Sequence, residues 1–490
     1  MTMLTLLLLA LLGPLPQERT IQPQAKVLMI GLDGVRPDAL MAAKTPNLDL
    51  LIEHGKLTLE ARTTSITSSG PAWTSILTGT RMTLHGVTDN SFENSKKEEW
   101  PTWIGQLESA RPEAYTVAIS HWLPIHKHLT EGKVDLSLHR DSEAGVTAAA
   151  REVLLDESKD LGAMFLHYDG VDGAGHGHGY STEVPEYIAA IESVDAEIGQ
   201  VLDALRARKN LIFEDWLIMV GTDHGGQGTS HGSNIPECRT VFEIAASTHV
   251  REASWRGAAD VIDFAALALK HLGIQGTCVP QPREDSWWRG RQNMLNQRGA
   301  TDGTGVAFFG DSITQSWEGA GATVWNESYA PRGAVNLGIS GDRTQHLLWR
   351  IQNGNIKNIR PAVSVVMIGT NNSGSDSAEE IARGVQSVVA ELLENLPETQ
   401  VLLLAIFPRG ADQSDRLRQI NADANRMLES WSGSTGRTHF LDINATFLKG
   451  ETDELPVEIM PDRLHPNAKG YELWAKAMEP ELQRLLKLSQ

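Results

Sequence analysis

The sequence predicts two α/β domains in one chain, each with a central, mainly parallel sheet. Three observations carry the prediction. The chain's 490 residues are too many for one ordinary hydrophobic core and favour two or three domains. Apolar strand-like runs alternate with helical stretches in two series, with a break near residues 273–291. Most of the chemistry-bearing motifs directly follow an apolar run, where parallel sheets place their ligands.

The first series opens with Lys26-Val-Leu-Met-Ile-Gly-Leu32, an apolar run suited to a strand buried on both faces. A long helix then presents Ile188, Ile191, Val194, Ile198, Val201, Leu202 and Leu205 on one face. Trp216-Leu-Ile-Met-Val-Gly221 reads as a further inner strand, and a helical stretch from Ala258 to Leu272 closes the series. This gives a first domain over residues 24–275. Pro280, Pro282, charges and the pair Trp287-Trp288 fill a linker expected at 276–291, with the tryptophans docking onto the second domain. The second domain, 292–490, begins with the strand Val306-Ala-Phe-Phe309 and continues with strands at Val363–Ile368 and Gln400–Phe407. Its helix from Ser377 starts on a capping box (Ser377, Glu380) and carries Ile381, Val385, Val388, Val389, Leu392 and Leu393 on one face.

Composition narrows the function. With 41% hydrophobic and 21% charged residues the chain is ordinary globular protein. Its net charge of −19, with no basic block, counts against nucleic-acid binding. An acidic protein acting on phosphates needs local positive charge, and bound metal is the obvious source. The apolar run at residues 1–13 is too short to span a bilayer and fits a secretory signal over residues 1–18, so export to a periplasm or the exterior is expected. No other segment is long and apolar enough to be transmembrane. Export would permit a disulfide between Cys238 and Cys278; two free thiols are the alternative. No CxxC is present, which excludes cysteine-based zinc sites.

Four segments of the first domain concentrate Asp and His. Gly31-Leu-Asp33-Gly34 ends the first strand, and Asp172-Gly-Ala-Gly-His176 sets a carboxylate and an imidazole in a glycine-rich loop. Thr222-Asp223-His224-Gly225-Gly226 ends another strand, and His231 follows in Thr229-Ser-His-Gly232. One Asp after a strand is usually a turn or cap residue. Four glycine-flanked segments together are hard to explain that way. Carboxylates and imidazoles suit zinc or a similar divalent ion, and more than four of them suggest two ions.

These residues resemble the alkaline phosphatase superfamily, in its type I phosphodiesterase/nucleotide pyrophosphatase branch, over residues 25–275. The most telling stretch is Ser69-Gly-Pro71-Ala-Trp-Thr-Ser-Ile-Leu-Thr78-Gly79, continued by His85-Gly86-Val87. The resemblance implies an alkaline-phosphatase-like α/β sandwich with Ser69 as nucleophile. A cysteine would mark the sulfatase branch there; nucleotide pyrophosphatases usually have threonine. It further implies one metal held by Asp33, Asp223 and His224 with Ser69 bridging, and another held by Asp172, His176 and a third histidine. His231 is the first candidate for that third ligand and His249 the alternative. Asn90 falls where the branch has an asparagine touching a phosphoryl oxygen. His167, Asp169 and His178 lie close by and are read as supporting or surface residues.

In the second domain Gly310-Asp311-Ser312-Ile313-Thr314 follows a strand. Asn336-Leu-Gly338-Ile-Ser-Gly341-Asp342, Gly369-Thr-Asn371-Asn372 and Asp462-Arg-Leu-His465-Pro466 come after it in order. These blocks resemble the SGNH (GDSL) hydrolases, and the stretch from Gly341 to Arg350 is similar to the platelet-activating-factor acetylhydrolase catalytic subunits. A flavodoxin-like parallel sheet is implied, with no cofactor. Ser312 would attack an ester carbonyl, His465 take its proton, and Asp462 orient the imidazole. Backbone N–H groups of Ser312 and Gly341 and the Asn371 amide would meet the oxyanion.

The sequence thus reads as a bifunctional hydrolase of small-molecule, glycan or lipid esters. One site would hydrolyse phosphodiesters or phosphomonoesters with two divalent ions, zinc by donor type. The other would hydrolyse short acyl esters. An active esterase joined to a sulfatase-like or non-catalytic recognition domain is the competing reading.

Overall fold

The computed structural model describes residues 23–96, 98–248, 260–274, 276–298, 305–433 and 436–488. The apolar run at 1–13, read as an export signal, and His249 lie outside the described residues.

The chain builds two sheets. The first contains β1 (Gln24–Leu32), β2 (Gly55–Arg62), β3 (Tyr115–Ser120), β4 (Leu136–His139), β5 (Leu161–Tyr168), β6 (Glu214–Thr222) and β7 (Thr240–Ser247), in the order β2-β7-β6-β1-β5-β3-β4. β1 lies between parallel β5 and β6. Only β7 runs against the rest, pairing antiparallel with β6 and β2. The unbroken apolar run of β1 has a simple cause, because both faces are covered. Leu28, Ile30 and Leu32 enter one core with the helix Pro185–Arg206, while Val27 and Met29 enter the other with the helices Ser69–Thr78 and Asp263–His271. The last of these is shorter than the stretch expected from Ala258. Asp260 to Ile262 form a turn instead, with Asp260 N–H donating to Asp263 Oδ2 at 2.9 Å.

The second sheet contains β8 (Val306–Gly310), β9 (Val335–Gly338), β10 (Val363–Met367), β11 (Gln400–Leu404) and β12 (Thr438–Leu441), all parallel, in the order β12-β11-β10-β8-β9. This is the flavodoxin-like strand order. Phe309 and Ala307 face one core and Phe308 and Val306 the other. The helix Ala378–Asn395 starts on the expected capping box, with Ser377 N–H on Glu380 Oε2 at 2.7 Å and Glu380 N–H on Ser377 Oγ at 3.3 Å.

Between the sheets the expected linker is partly helical. A helix runs over Ser286–Arg298, through the boundary expected at 291. Trp288 is buried in the second core, whereas Trp287 is 52% exposed. Neighbouring helical residues diverge by about 100°, so one tryptophan of the pair docks and the other cannot. The domains also meet through Arg81, which pairs with Asp260 at 2.7 Å and with buried Glu391 of the second domain at 3.0 Å. Cys238 and Cys278 are free thiols, so the disulfide alternative falls. No helix among the described residues is long and apolar enough to cross a membrane.

Candidate active sites

Sheet order explains how the first cluster assembles. β6, β1 and β5 are adjacent and parallel, so their carboxyl ends bring Asp223 and His224, Asp33, and the Asp169–His176 segment side by side. His224 Nε2 lies 3.4 Å from Asp33 Oδ1, 3.3 Å from Asp223 Oδ2 and 3.4 Å from Ser69 Oγ. Next to them His176 Nε2 is 3.3 Å from Asp172 Oδ2 and 3.1 Å from His231 Nε2. His231 stacks on His224 with ring centroids 3.9 Å apart. All seven residues expected at this centre therefore fall in one place, and of the two histidine candidates His231 is the one placed here.

The donor atoms fit divalent cations. His224 Nδ1 faces Gly225 O at 2.9 Å, His176 Nδ1 faces Thr229 O at 3.0 Å, and His231 Nδ1 faces Thr67 O at 2.8 Å. A carbonyl only accepts, so Nδ1 of each ring is the protonated nitrogen, and in the neutral ring Nε2 is left with the lone pair, the arrangement usual for metal-binding histidines. Asp33 Oδ1 and Asp223 Oδ2 are buried and accept no hydrogen bond among the described residues. Two of the converging carboxylate oxygens thus lack a donor, which is costly unless cations or protons lie beside them. Burial, then the Asp223 and Asp172 carboxylates, pushes Asp33 well above the usual carboxylate range. Burial and Asp172 do the same to Asp223.

Supporting residues surround this cluster. Trp73 Nε1 donates to Asp33 Oδ2 at 2.8 Å, and His167 Nε2 lies 3.1 Å from the same oxygen. His178 is exposed, and Asp169 is half-buried beside Asp33. Ser69 opens the helix Ser69–Thr78, whose dipole favours an anion at this end. Asn90 Oδ1 accepts Gly70 N–H at 2.8 Å, leaving its NH₂ as a donor beside Ser69. His85 has a structural task. Its Nδ1 accepts Val87 N–H at 3.1 Å and its Nε2 meets Ser75 Oγ at 2.9 Å.

Tyr180 was not singled out from the sequence. Its hydroxyl donates to Asp172 Oδ1 at 2.5 Å, and its ring packs between His176 and Gly226. A side chain at Gly175 or Gly226 would stand within 2.4 Å of that ring, so both must be glycine. Asp172 and His176 stand one turn apart on the helix Gly170–His178, not in the glycine-rich loop that the sequence suggests.

The second cluster forms where the sheet order reverses, between β8 and β10. Ser312 Oγ is 2.8 Å from His465 Nε2, and His465 Nδ1 is 2.6 Å from Asp462 Oδ2. Asp462 Oδ1 accepts the N–H groups of Leu464 at 3.1 Å and His465 at 2.7 Å, and Arg463 between them takes the left-handed φ of 60° that the tight turn needs. Burial alone would raise the Asp462 pKa, but its bonds to His465 outweigh this and lower it, so the carboxylate stays charged. Asp311 caps the Ser312 helix through Ile313 N–H at 3.0 Å, and burial pushes it up to about 7. Asn371 Nδ2 donates to Asp342 O at 2.9 Å, which directs the amide toward the same loop as Gly341. That loop is braced by the buried pair Arg350 Nε–Asp342 Oδ2 at 2.7 Å, with Trp288 Nε1 on Asp342 Oδ1 at 2.7 Å.

One cluster is thus a set of candidate cation ligands beside a serine, and the other a hydrogen-bonded Ser–His–Asp chain. A type I phosphodiesterase/nucleotide pyrophosphatase model matches residues 27–277, and a GDSL-like lipase/acylhydrolase model matches residues 308–473. The human platelet-activating factor acetylhydrolase IB subunit alpha1 is 35% identical over 211 residues, which are 42% of this chain and 89% of that protein. The chain belongs to the type I phosphodiesterase/nucleotide pyrophosphatase family in its first half and to the acetylhydrolase-like GDSL acylhydrolases in its second, both families of hydrolases acting on ester bonds. Among solved structures, murine ectonucleotide pyrophosphatase/phosphodiesterase 5 in complex with AMP is 14% identical with a TM-score of 0.41, covering 54% of this chain and 98% of that one. A putative sulfatase from Bacteroides thetaiotaomicron is 15% identical with a TM-score of 0.42, covering 54% and 73%.

Proposed function

We propose that the protein is a bifunctional hydrolase, cleaving phosphate esters at Ser69 and short-chain carboxylic esters, acetyl esters above all, at Ser312. The observation that carries the second activity is the relay from Ser312 through His465 to Asp462. Ser312 Oγ attacks the ester carbonyl while its proton passes to His465 Nε2, and Asp462 stabilises the imidazolium. N–H groups of Ser312 and Gly341 and the Asn371 amide take the charge on the carbonyl oxygen. His465 then protonates the leaving alcohol, and water attacks the acyl-serine by the same route in reverse.

The first activity is carried by the convergence of unprotonated nitrogens and bare carboxylate oxygens at Ser69. Asp33, Asp223 and His224 would hold one divalent cation and Asp172, His176 and His231 a second, zinc by the nitrogen-and-carboxylate donor set. When bound, the two would supply the positive charge that an in-line displacement at phosphorus requires. Ser69, at the positive end of its helix, attacks phosphorus as the P–O bond to the leaving alcohol breaks, the serine proton passing through solvent to the departing oxygen. Asn90 donates to a non-bridging oxygen. The phosphoserine formed is hydrolysed in a second step. An acidic chain in an exported setting, acting on esters of glycans or lipids, accords with this pair of sites.

A panel of 4-nitrophenyl phosphodiester, phosphomonoester, sulfate and acetate tests the assignment. Ser69→Ala should abolish phosphodiester turnover and spare acetate, and Ser312→Ala should do the reverse. Loss of both activities in either variant contradicts the two-site reading, and sulfate turnover lost in Ser69→Ala would make the first site a sulfatase.

A further inference from the structure

The segment between the sheets runs along the loop after β9. Val279 is buried in a core of the first domain and Trp288 in one of the second. Around them Gln281 N–H donates to Gln345 O at 3.1 Å, Thr344 Oγ1 to Thr277 O at 3.0 Å, and Arg291 Nε to Gly338 O at 2.9 Å. Arg283 sits in the middle of this seam. Its Nε donates to Asp285 Oδ2 at 3.1 Å, and its Nη1 donates to Ser340 O at 2.7 Å.

The Ser340 carbonyl and the Gly341 N–H belong to one peptide unit. That unit is planar and trans, so the two groups point in opposite directions. Holding the carbonyl therefore fixes where the N–H points, and a charged donor on the oxygen polarises the amide and strengthens its N–H. Such a clamp is needed here because Gly341 has φ +79°, where a glycine moves readily among backbone basins. A side chain at Gly341 would also stand 3.0 Å from Arg283 Nη1.

We infer that Arg283, contributed by the interdomain segment, is a positioning residue of the ester-hydrolysing site: it holds and polarises the Ser340–Gly341 peptide so that the Gly341 N–H meets the oxyanion. The inference rests on the proposed role of Gly341 in the reaction at Ser312. It makes the connector part of the esterase site.

Arg283→Met in the full chain, assayed on 4-nitrophenyl acetate, should lower kcat about tenfold and leave KM within about twofold, less than the roughly 10²–10³ lost with a direct oxyanion donor. A boronic acid that forms a tetrahedral adduct on Ser312 should bind the variant more weakly by about the same factor as kcat falls. Arg283→Lys, which keeps the charge and a donor, should recover part of the loss, and it serves as the test if the methionine variant does not fold. An unchanged kcat overturns the inference, as does a kcat loss that boronate affinity does not follow, the mark of a merely structural contact. Absence of Ser312-dependent acetate turnover in the unaltered protein would instead remove the esterase reading itself, and the inference with it.

Discussion

Both serines open a helix, Ser312 directly after β8 and Ser69 after the loop that follows β2, in a chain of net charge −19. From there the two sites part. Ser312 has a base at 2.8 Å, and that base has its own carboxylate at 2.6 Å. Every group needed to move a proton is a side chain of the protein. Ser69 has an imidazole only at 3.4 Å, and that ring belongs to a set of acceptors that face one another. An acyl oxyanion carries one charge, which a few N–H groups can meet. A phosphoryl group carries more, and an acidic protein would have little to offer it except cations held by such ligands. On the proposed reading, one half holds a site complete in its side chains and the other a site that bound cations would complete.

The strongest way to break this contrast is to remove one group from the relay. Asp462→Asn should lower acetate turnover on the order of 10³–10⁴-fold, because the amide cannot hold His465 in the tautomer the reaction needs, while phosphodiester turnover stays unchanged. Steady-state kinetics on both substrates check it. Chelation should act the other way. Dialysis against EDTA is expected to lower phosphodiester turnover at least about 10³-fold and leave acetate turnover within about twofold. A fall in acetate turnover would mean that the second site is not self-sufficient.

A smaller effect separates the two subsites within the first cluster. Tyr180→Phe removes only the hydroxyl that holds Asp172. Affinity for one of two metal equivalents should fall about 10–100-fold, the usual cost of losing a ligand's own partner. Calorimetric titration of the metal-free protein reads this directly. Equal weakening of both equivalents would mean that Tyr180 supports the whole cluster rather than the Asp172 side.

How much of this was legible in the sequence follows from where the information lies. β1, β6, β8 and β10 announce themselves as apolar runs because both of their faces are covered, and the segments after them carry Asp, His, Ser or Asn in motifs. The Asp172–His176 and Asp462–His465 pairs are near in sequence, so their approach needs only a local turn. Tyr180 and Arg283 had no such signal. Tyr180 matters because two glycines let its ring approach Asp172. Arg283 matters because an irregular segment brings it to a carbonyl far along the chain, at Ser340. Neither periodicity nor spacing encodes such contacts. The Trp287-Trp288 pair shows the same limit, since which of the two docks depends on helix phase.

Glu243 sharpens the comparison at the smallest scale, because it poses the problem of Asp33 with a different solution. It lies on β7, fully buried, and neither carboxylate oxygen accepts a hydrogen bond among the described residues. Its charged neighbours among the described residues are Asp263 and Asp260, and there it belongs to none of the groups that could hold a metal. Burial, then those two carboxylates, raises it well above its ordinary 4.5, so the folded protein keeps a proton there. The sign is then set. Between 4.5 and the folded value the folded state binds more protons than the unfolded chain, so stability falls as pH rises through that window. Glu243→Gln removes this loss. The variant should lose less stability than the unaltered protein as pH rises from about 5 to about 8, with EDTA leaving the difference unchanged. Thermal unfolding at the two pH values, with and without chelator, checks it. Equal losses of stability in both proteins would show that Glu243 does not hold the proton, and a chelator-dependent difference would place a cation there instead.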